Sequence, residues 1–474
     1  MQEVWFNMAQ STLKREVSIF HGIMLIIGTV IGASSFILIG PLAGQTGPAL
    51  WMSYALGAIP AIFVAVVFAQ LGSSFPMTGA AYVAISRLLS PALSLMAVWS
   101  AILGIFCFAT PLMAFGFALY LNNLIPLGGD IMLLLVAALT IILFTVLNIF
   151  EIKWMMWAQT IMTVAMIVVL LVFGIGGSFS VDPALQTPMF PRGFTAVLAA
   201  IIPAYIMYTG LNGITEIGGE VKNPRRNIPI ILAISLVLLV IIYVAITYAL
   251  TGLISWTELG KIQGATAVAT AASKFMPATF AVLFTSIGAL VAASTTINGS
   301  IAFLSRDMLA LGKDKVLPDA LGKVSPKFHT PVPAVITLGV LAVLGLILTV
   351  VFGENFITYC ATAVSYAFML LSLLVCIAVY LMRNKMPERY EQAEFKVKGF
   401  WFSFFTIGGA VIFGILILWG FISGYLADPA TGWQPALALV VLVVTGLAYY
   451  YLRKWQLGRR GINIKDKLNK VEEY

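Results

Sequence analysis

Charge is what this chain has least of. Asp, Glu, Lys and Arg make up 10% of its 474 residues, where a soluble domain carries about a quarter, and so little charge excludes a water-covered surface. Histidine is scarce as well: His21 opens an apolar run, His329 lies in a polar gap, and neither stands at metal-ligand spacing. Cys107, Cys360 and Cys376 sit inside apolar runs without a CxxC pair, which argues against a disulfide framework or a zinc site and leaves them as small hydrophobes. No cofactor is expected. Nor is a cleavable leader, because residues 1 to 17 are mixed polar and the apolar run after them is too long and too soon followed by another. Acids and bases at membrane depth are too few for the nucleophile, base or metal cluster of a membrane-embedded enzyme, so the chain is not expected to be one.

What the chain has in excess is apolar surface: 61% of residues are hydrophobic and the mean hydropathy is +1.01. Twelve apolar runs cover roughly 18–45, 48–72, 91–121, 131–149, 155–175, 195–219, 228–253, 277–304, 332–352, 355–382, 400–425 and 434–453, each long enough to cross a bilayer as a helix. They lack the alternation of barrel strands, and unpaired backbone groups are too costly in lipid for anything but helices. The fold class is therefore an all-α polytopic membrane protein. The net charge of +8 and pI near 9.3 reflect basic residues gathered in the gaps, a topology signal with no nucleic-acid partner implied. With the N-terminus placed in the cytoplasm, 24 of the 27 Lys and Arg residues fall inside, and only Arg192, Lys261 and Lys274 fall outside. Both termini are then cytoplasmic. The longest gaps, 305–331 and 383–399, are cytoplasmic too, whereas the link after the sixth span, VKNPRRNIP, is short. That counts against two six-helix halves joined by a long midpoint loop. Residues Ser255 to Ala278 are too weakly apolar to span and are expected to form a lid with a short surface helix.

Two spans are interrupted. The first reads GTVIGASSFILIGPLAGQTGP from Gly28, and the sixth reads PAYIMYTGLNGITEIGG from Pro203. Each glycine costs about 1 kcal/mol in a helix interior, so unwinding is cheap near Gly32–Ser35 and near Gly210. Interrupted helices five spans apart point to an inverted repeat with the substrate between the breaks; close packing through small residues is the other reading. A broken helix offers N–H groups to a carboxylate and C=O groups to an ammonium or small cation. A zwitterion could thus be bound by backbone alone.

GTVIGASSF (28–36), QLGSSFPMTGAAYVAISRLLSP (70–91), EIGGEVKNPRRNIP (216–229) and INGSIAFLSRDMLALGKDKVLP (297–318) resemble, in that order, motifs of the amino acid-polyamine-organocation (APC) superfamily of transporters. The resemblance implies twelve transmembrane helices in a LeuT-type 5+5 inverted repeat, with helices 1 and 6 broken and two helices added at the end. Its divisions are a cytoplasmic N-terminus (1–17), helices 1–5 (18–175), helices 6–10 (195–382), helices 11–12 (400–453) and a cytoplasmic tail (454–474). It further implies a substrate-binding backbone at Ile31, Gly32, Ala33, Ser34 and Ser35, facing Ile206, Met207, Tyr208, Thr209 and Gly210. Ser34 and Ser35 replace the family's more usual Gly and Ile; their hydroxyls could serve a carboxylate or bond back to their own turn. Ile206 stands where relatives place a bulky aromatic, which leaves Tyr205 or Tyr208 to close the pocket and weighs against a cargo held by cation–π stacking, such as arginine.

Glu216 and Glu220 stand four apart near the inner end of the sixth span, with Arg87 and Arg306 as candidate partners. Ionisable residues at this depth are functional by default, as gate anchors or as proton carriers. Proton-coupled and sodium-independent relatives commonly carry a lysine midway along helix 5; the register here puts Met166 there, and residues 154–181 hold no Lys or Arg. Ser294, Thr295 and Thr296, with the carbonyls of Gly28 and Ile31, make a candidate sodium site, or else ordinary helix–helix hydrogen bonds. The expected cargo is a small neutral amino acid crossing the plasma (inner) membrane, with Na+ as a candidate coupling ion. The alternatives are a sodium-independent exchanger of amino acids or amines, and a non-transporting sensor. Beyond the cargo and the lipid bilayer no partner is implied, and the oligomeric state has no signature.

Overall fold

The computed structural model describes residues 13–32, 39–262 and 266–462. Among the described residues, ten helices are long and apolar enough to cross a membrane: α2 (Leu50–Ser74), α3 (Pro91–Leu124), α4 (Asp130–Ile149), α5 (Ile152–Gly176), α7 (Pro224–Leu253), α8 (Ala278–Lys313), α9 (Val332–Phe352), α10 (Glu354–Lys385), α11 (Gly399–Ala427) and α12 (Gln434–Arg459). The first and sixth spans are each divided. One has halves α1a (Ile19–Val30) and α1b (Ile39–Thr46); the other has α6a (Phe194–Ile206) and a short α6b (Gly213–Glu216). These helices overlap the apolar runs that hydropathy marks.

Local chemistry sets the ends. Ser18 caps α1a by accepting from the His21 amide at 3.3 Å, and Ser90 caps α3 ahead of Pro91, whose missing N–H costs nothing at a first turn. Within α3 the turn widens over Ile105–Ala109, just before Pro111, whose ring cannot accommodate a regular carbonyl one turn back. Gly353 (φ +80°) makes the tight reversal between α9 and α10.

The side chains are sorted as a lipid solvent demands. Ile131 and Leu139 on α4 are 77% and 63% exposed, while Gln70, Asn148, Gln159 and Asn298 are buried. The buried amides pair with one another and with backbone: Gln70 Oε1 accepts from the Val397 amide at 2.9 Å, tying the segment between α10 and α11 onto α2.

Packing between helices repeats across the two halves. Helix α7 lies on α1a as α2 lies on α6a; α5 packs on α8 as α10 packs on α3; α2 meets α7, and α4 meets α9. Each pairing is its partner's image under exchange of helices 1–5 with 6–10, the signature of the inverted repeat. Helix α11 covers α10 and α2, and α12 covers α3 and α10. The end of the bundle where Lys14 meets Glu151, Arg87 meets Asp314, Arg306 meets Glu220 and Arg453 meets Asp319 is called the basic face. The segment between α7 and α8, expected to form a lid, contains among the described residues two short helices, Trp256–Leu259 and Thr266–Ala272. The first packs on α1b, where Gly260 lies against Gly44 with no room for a Cβ on either.

Candidate functional site

The sixth span unwinds at the expected residues. After Ile206 the chain turns through 207–212 on short-range bonds, with Tyr208 N to Tyr205 O at 2.8 Å, Thr209 N to Ile206 O at 3.1 Å and Gly213 N to Gly210 O at 3.0 Å. Gly210 takes φ +97°, a left-handed geometry open to glycine. The Thr209 hydroxyl donates to the Ile206 carbonyl at 2.7 Å. In the first span α1a stops at Val30, Ile31 leaves the helix (φ −80°, ψ 76°), and Gly32 N turns back to Val30 O at 2.9 Å. Ala33, Ser34 and Ser35 lie outside the described residues. A Cβ on Gly210 would stand 3.6 Å from Val30 and 3.9 Å from Thr29, so the two breaks abut.

Three buried tyrosines frame them. Tyr243 on α7 donates to the Met207 carbonyl at 2.8 Å and lies 3.5 Å from the Val30 carbonyl, touching both breaks. Tyr208 donates to the Tyr54 carbonyl at 3.0 Å, and the rings of Tyr54 and Tyr208 stand 5.4 and 5.3 Å from that of Tyr243. Tyr205 points elsewhere, against Phe413 of α11 at 5.8 Å. Of the two gate aromatics expected from the sequence, only Tyr208 therefore stands among the residues that frame the breaks. Tyr54 and Tyr243 were not anticipated, because a tyrosine inside a long apolar run gives no signal of which face it serves.

Between α1a, α5 and α8 the structure brings Gly28 together with Gln159 and Thr163, either of which a Cβ at Gly28 would strike. Thr163 donates to the Met24 carbonyl at 3.0 Å. Gln159 Nε2 donates to the Thr295 carbonyl at 3.2 Å; Asn298 donates to Gln159 Oε1 at 2.8 Å, and Asn148 to Asn298 Oδ1 at 2.7 Å. The register expected for the fifth span is thus corrected: Met166 is buried, but Gln159 and Thr163 occupy the place beside Gly28. The candidate ion donors on α8 turn toward their own helix, Ser294 to Leu290 O at 2.8 Å and Thr295 to Val291 O at 3.0 Å. Thr296 bonds Ala292 O at 3.0 Å and reaches α1a at Thr29 O, 3.2 Å away. Among the described residues no three His, Cys, Asp or Glu side chains gather as a metal site.

Several contacts join the helices at the basic face. Val17 pairs with Val221 and Thr78 with Ile217 as isolated β-bridges, and Gly79 N bonds Glu216 O at 2.9 Å. Arg306 on α8 grips Glu220 with two bonds of 2.8 Å, both side chains almost wholly buried. Arg87 is corrected: its fork closes on Asp314 at the end of α8, at 2.5 and 2.9 Å, and Tyr82 donates to the same carboxylate at 2.7 Å. Arg87 lies in the last turn of the Ala80–Leu88 helix, whose first turn is the part that meets Glu216. Glu216 receives the Ala81 amide at 3.4 Å, and its carboxyl lies within hydrogen-bonding reach of that of Asp307. Asp307 and Asp314 were missed because they sit where an apolar run gives way to a polar gap. His21 bonds Thr160 at 2.8 Å.

Residues 17–446 match the family described as amino acid permease. The chain is 25% identical to the branched-chain amino acid permease BcaP of Bacillus subtilis (strain 168), with 94% of each chain covered. It is 26% identical to the methylthioribose transporter of the same organism, over 93% of this chain and 94% of that one. To the cystine/glutamate transporter of Pongo abelii it is 28% identical, over 69% and 66%.

Proposed function

The chain belongs to the amino acid permease family and is a multi-pass membrane transporter, not an enzyme; on that footing we propose that it carries a small neutral amino acid across the plasma membrane by alternating access, with its basic face in the cytoplasm. The observation that carries this reading is the meeting of two helix breaks framed by uncharged side chains. Among the described residues, Thr29, Val30, Tyr54, Met207, Tyr208 and Tyr243 line that meeting point. A cargo with a net charge would lose its hydration there without a counter-charge. A zwitterion brings its own, its carboxylate facing the N–H groups that open α6b and α1b and its ammonium facing the C=O groups that end α1a and α6a. Among the relatives, one is named for branched-chain amino acids and others for cationic ones, so the neutral-cargo reading rests on the uncharged lining.

Two readings of the driving force remain. A sodium ion held by the carbonyls of Gly28 and Ile31 with Ser294, Thr295 and Thr296 is the first. Exchange without an ion gradient is the second, and one observation favours it: the Gln159 amide already links α5 to the Thr295 carbonyl beside Gly28, where a coupling cation would stand. Labelled uptake into proteoliposomes under an imposed sodium gradient separates the two, because equal flux in choline buffer removes the first. A thermal-shift screen of the twenty amino acids identifies the cargo class, since ligand binding raises apparent stability. A response confined to cationic amino acids would overturn the neutral-cargo reading.

A further inference from the structure

Two carboxyl groups face each other inside the closed gate. Glu216 is 3% exposed and Asp307 is 2% exposed, and their carboxyl groups lie within hydrogen-bonding reach of one another. Two ionised carboxylates could make no bond there; one proton turns the contact from repulsion into attraction. Among the described residues, the ion pairs formed nearby leave both acids out. Arg306, next in sequence to Asp307, is spent on Glu220 and the Ser305 hydroxyl. On the Ala80–Leu88 helix, Arg87 and Tyr82 bond Asp314. On α1a, His21 bonds Thr160. At the start of α7, Arg225 reaches Gln392 and Arg226 is exposed to solvent. Lys153 of α5 lies over Trp154, and Lys313 sits two turns past Asp307 at the end of α8; α2 contributes no charged side chain. The second oxygen of Asp307 and the hydroxyl of Thr78 are buried without a hydrogen-bond partner.

The pair spans the joint that must part for cargo to leave. Glu216 ends α6b and its carbonyl holds Gly79, while Asp307 rides on α8. From this geometry we infer that Glu216 and Asp307 hold one shared proton that fastens α6b to α8 while the cytoplasmic gate is shut and is released to the cytoplasm as the gate opens. On opening, the O–H bond of one carboxyl breaks, the proton passes to water at the inner mouth, and two carboxylates remain; reclosure takes one proton back. This rests on the transport reading and on the orientation proposed above, and it adds a proton-linked step to it.

The test uses the full-length protein in proteoliposomes of uniform orientation. Counterflow of a labelled neutral amino acid at symmetric pH first establishes transport; no counterflow in the wild type removes the parent reading, and with it this one. With transport in hand, the pH at the basic face alone is stepped from acid to alkaline. The expected wild-type response is a rise in exchange approaching tenfold per pH unit while a single proton leaves. Glu216→Gln and Asp307→Asn, each with an amide that donates permanently to the remaining acid, should run slower and flat across the same range. Infrared difference spectra between acid and alkaline buffer supply a readout that needs no transport: a carboxylic-acid C=O band in the wild type, absent from both variants. An unchanged pH slope in both variants overturns the proposal, as does a wild type lacking the band. A response that follows sodium or potassium at constant pH also overturns it, since a metal cation would then occupy the pair.

Discussion

A glycine pressed against backbone cannot grow, because a carbonyl does not swing aside as a side-chain tip does. A Cβ on Gly218 would stand 2.7 Å from the Met77 carbonyl oxygen, whereas one on Gly116, inside α3, would meet nothing within 4 Å. Gly218→Ala is expected to lower stability by about 1–3 kcal/mol and to loosen the gate, and Gly116→Ala to leave stability unchanged or raise it by up to about 1 kcal/mol. Thermal unfolding in detergent compares them. At Arg306 and Glu220 the issue is charge. Glu220→Leu strands a buried guanidinium at a cost of about 3–5 kcal/mol, and the double variant Arg306→Met/Glu220→Leu recovers most of it, because an apolar pair needs no desolvation of ions. Melting temperature again decides: a double variant no more stable than the single one refutes the pair as the origin. The scarcity of intramembrane charge made Arg306 and Glu220 conspicuous in the sequence. Asp307 and Asp314 were hidden by the same logic, since hydropathy assigns the end of a long helix to the loop that follows.

At the scale of one element, the sixth span works by being broken. Its 207–212 turn needs Gly210 at φ +97°, a conformation that costs an alanine about 1–2 kcal/mol. It also needs Tyr243 to bond the Met207 carbonyl left over when the helix stops. Gly210→Ala is therefore expected to fold but to transport poorly, and Tyr243→Phe to weaken cargo binding while costing about 1 kcal/mol of stability. Ligand-induced thermal shift and uptake, measured on the same preparations, tell a lost site from a lost fold. Glycine and proline spacing made both breaks legible, since those residues act on the backbone itself. Which side of an intact span faces inward was harder. The fifth span is apolar around most of its circumference, so counting from Lys153 led to Met166, while Gln159, Thr160 and Thr163 were the polar residues that marked the inner face. Their clustering at helical spacing was a usable signal.

Across the whole molecule, the proposed alternating access requires that two halves built alike open one face at a time. The basic face is held by two backbone bridges, two buried ion pairs and the Glu216–Asp307 contact, while the breaks that would hold cargo lie deeper. Fastening that face should stop transport without emptying the site. Thr78 and Ile217 oppose each other in an antiparallel bridge and are buried, and opposed residues in such a bridge have Cα separations of about 4.5–5.5 Å, within the reach of a disulfide. In a background with Cys107, Cys360 and Cys376 replaced by alanine, Thr78→Cys/Ile217→Cys is expected to lose uptake on oxidation and regain it on reduction. The oxidised protein should still show a thermal shift with cargo, reached from the opposite face. Continued uptake by the fully oxidised protein would mean that cargo leaves by another route, and the basic face could not then be the gate.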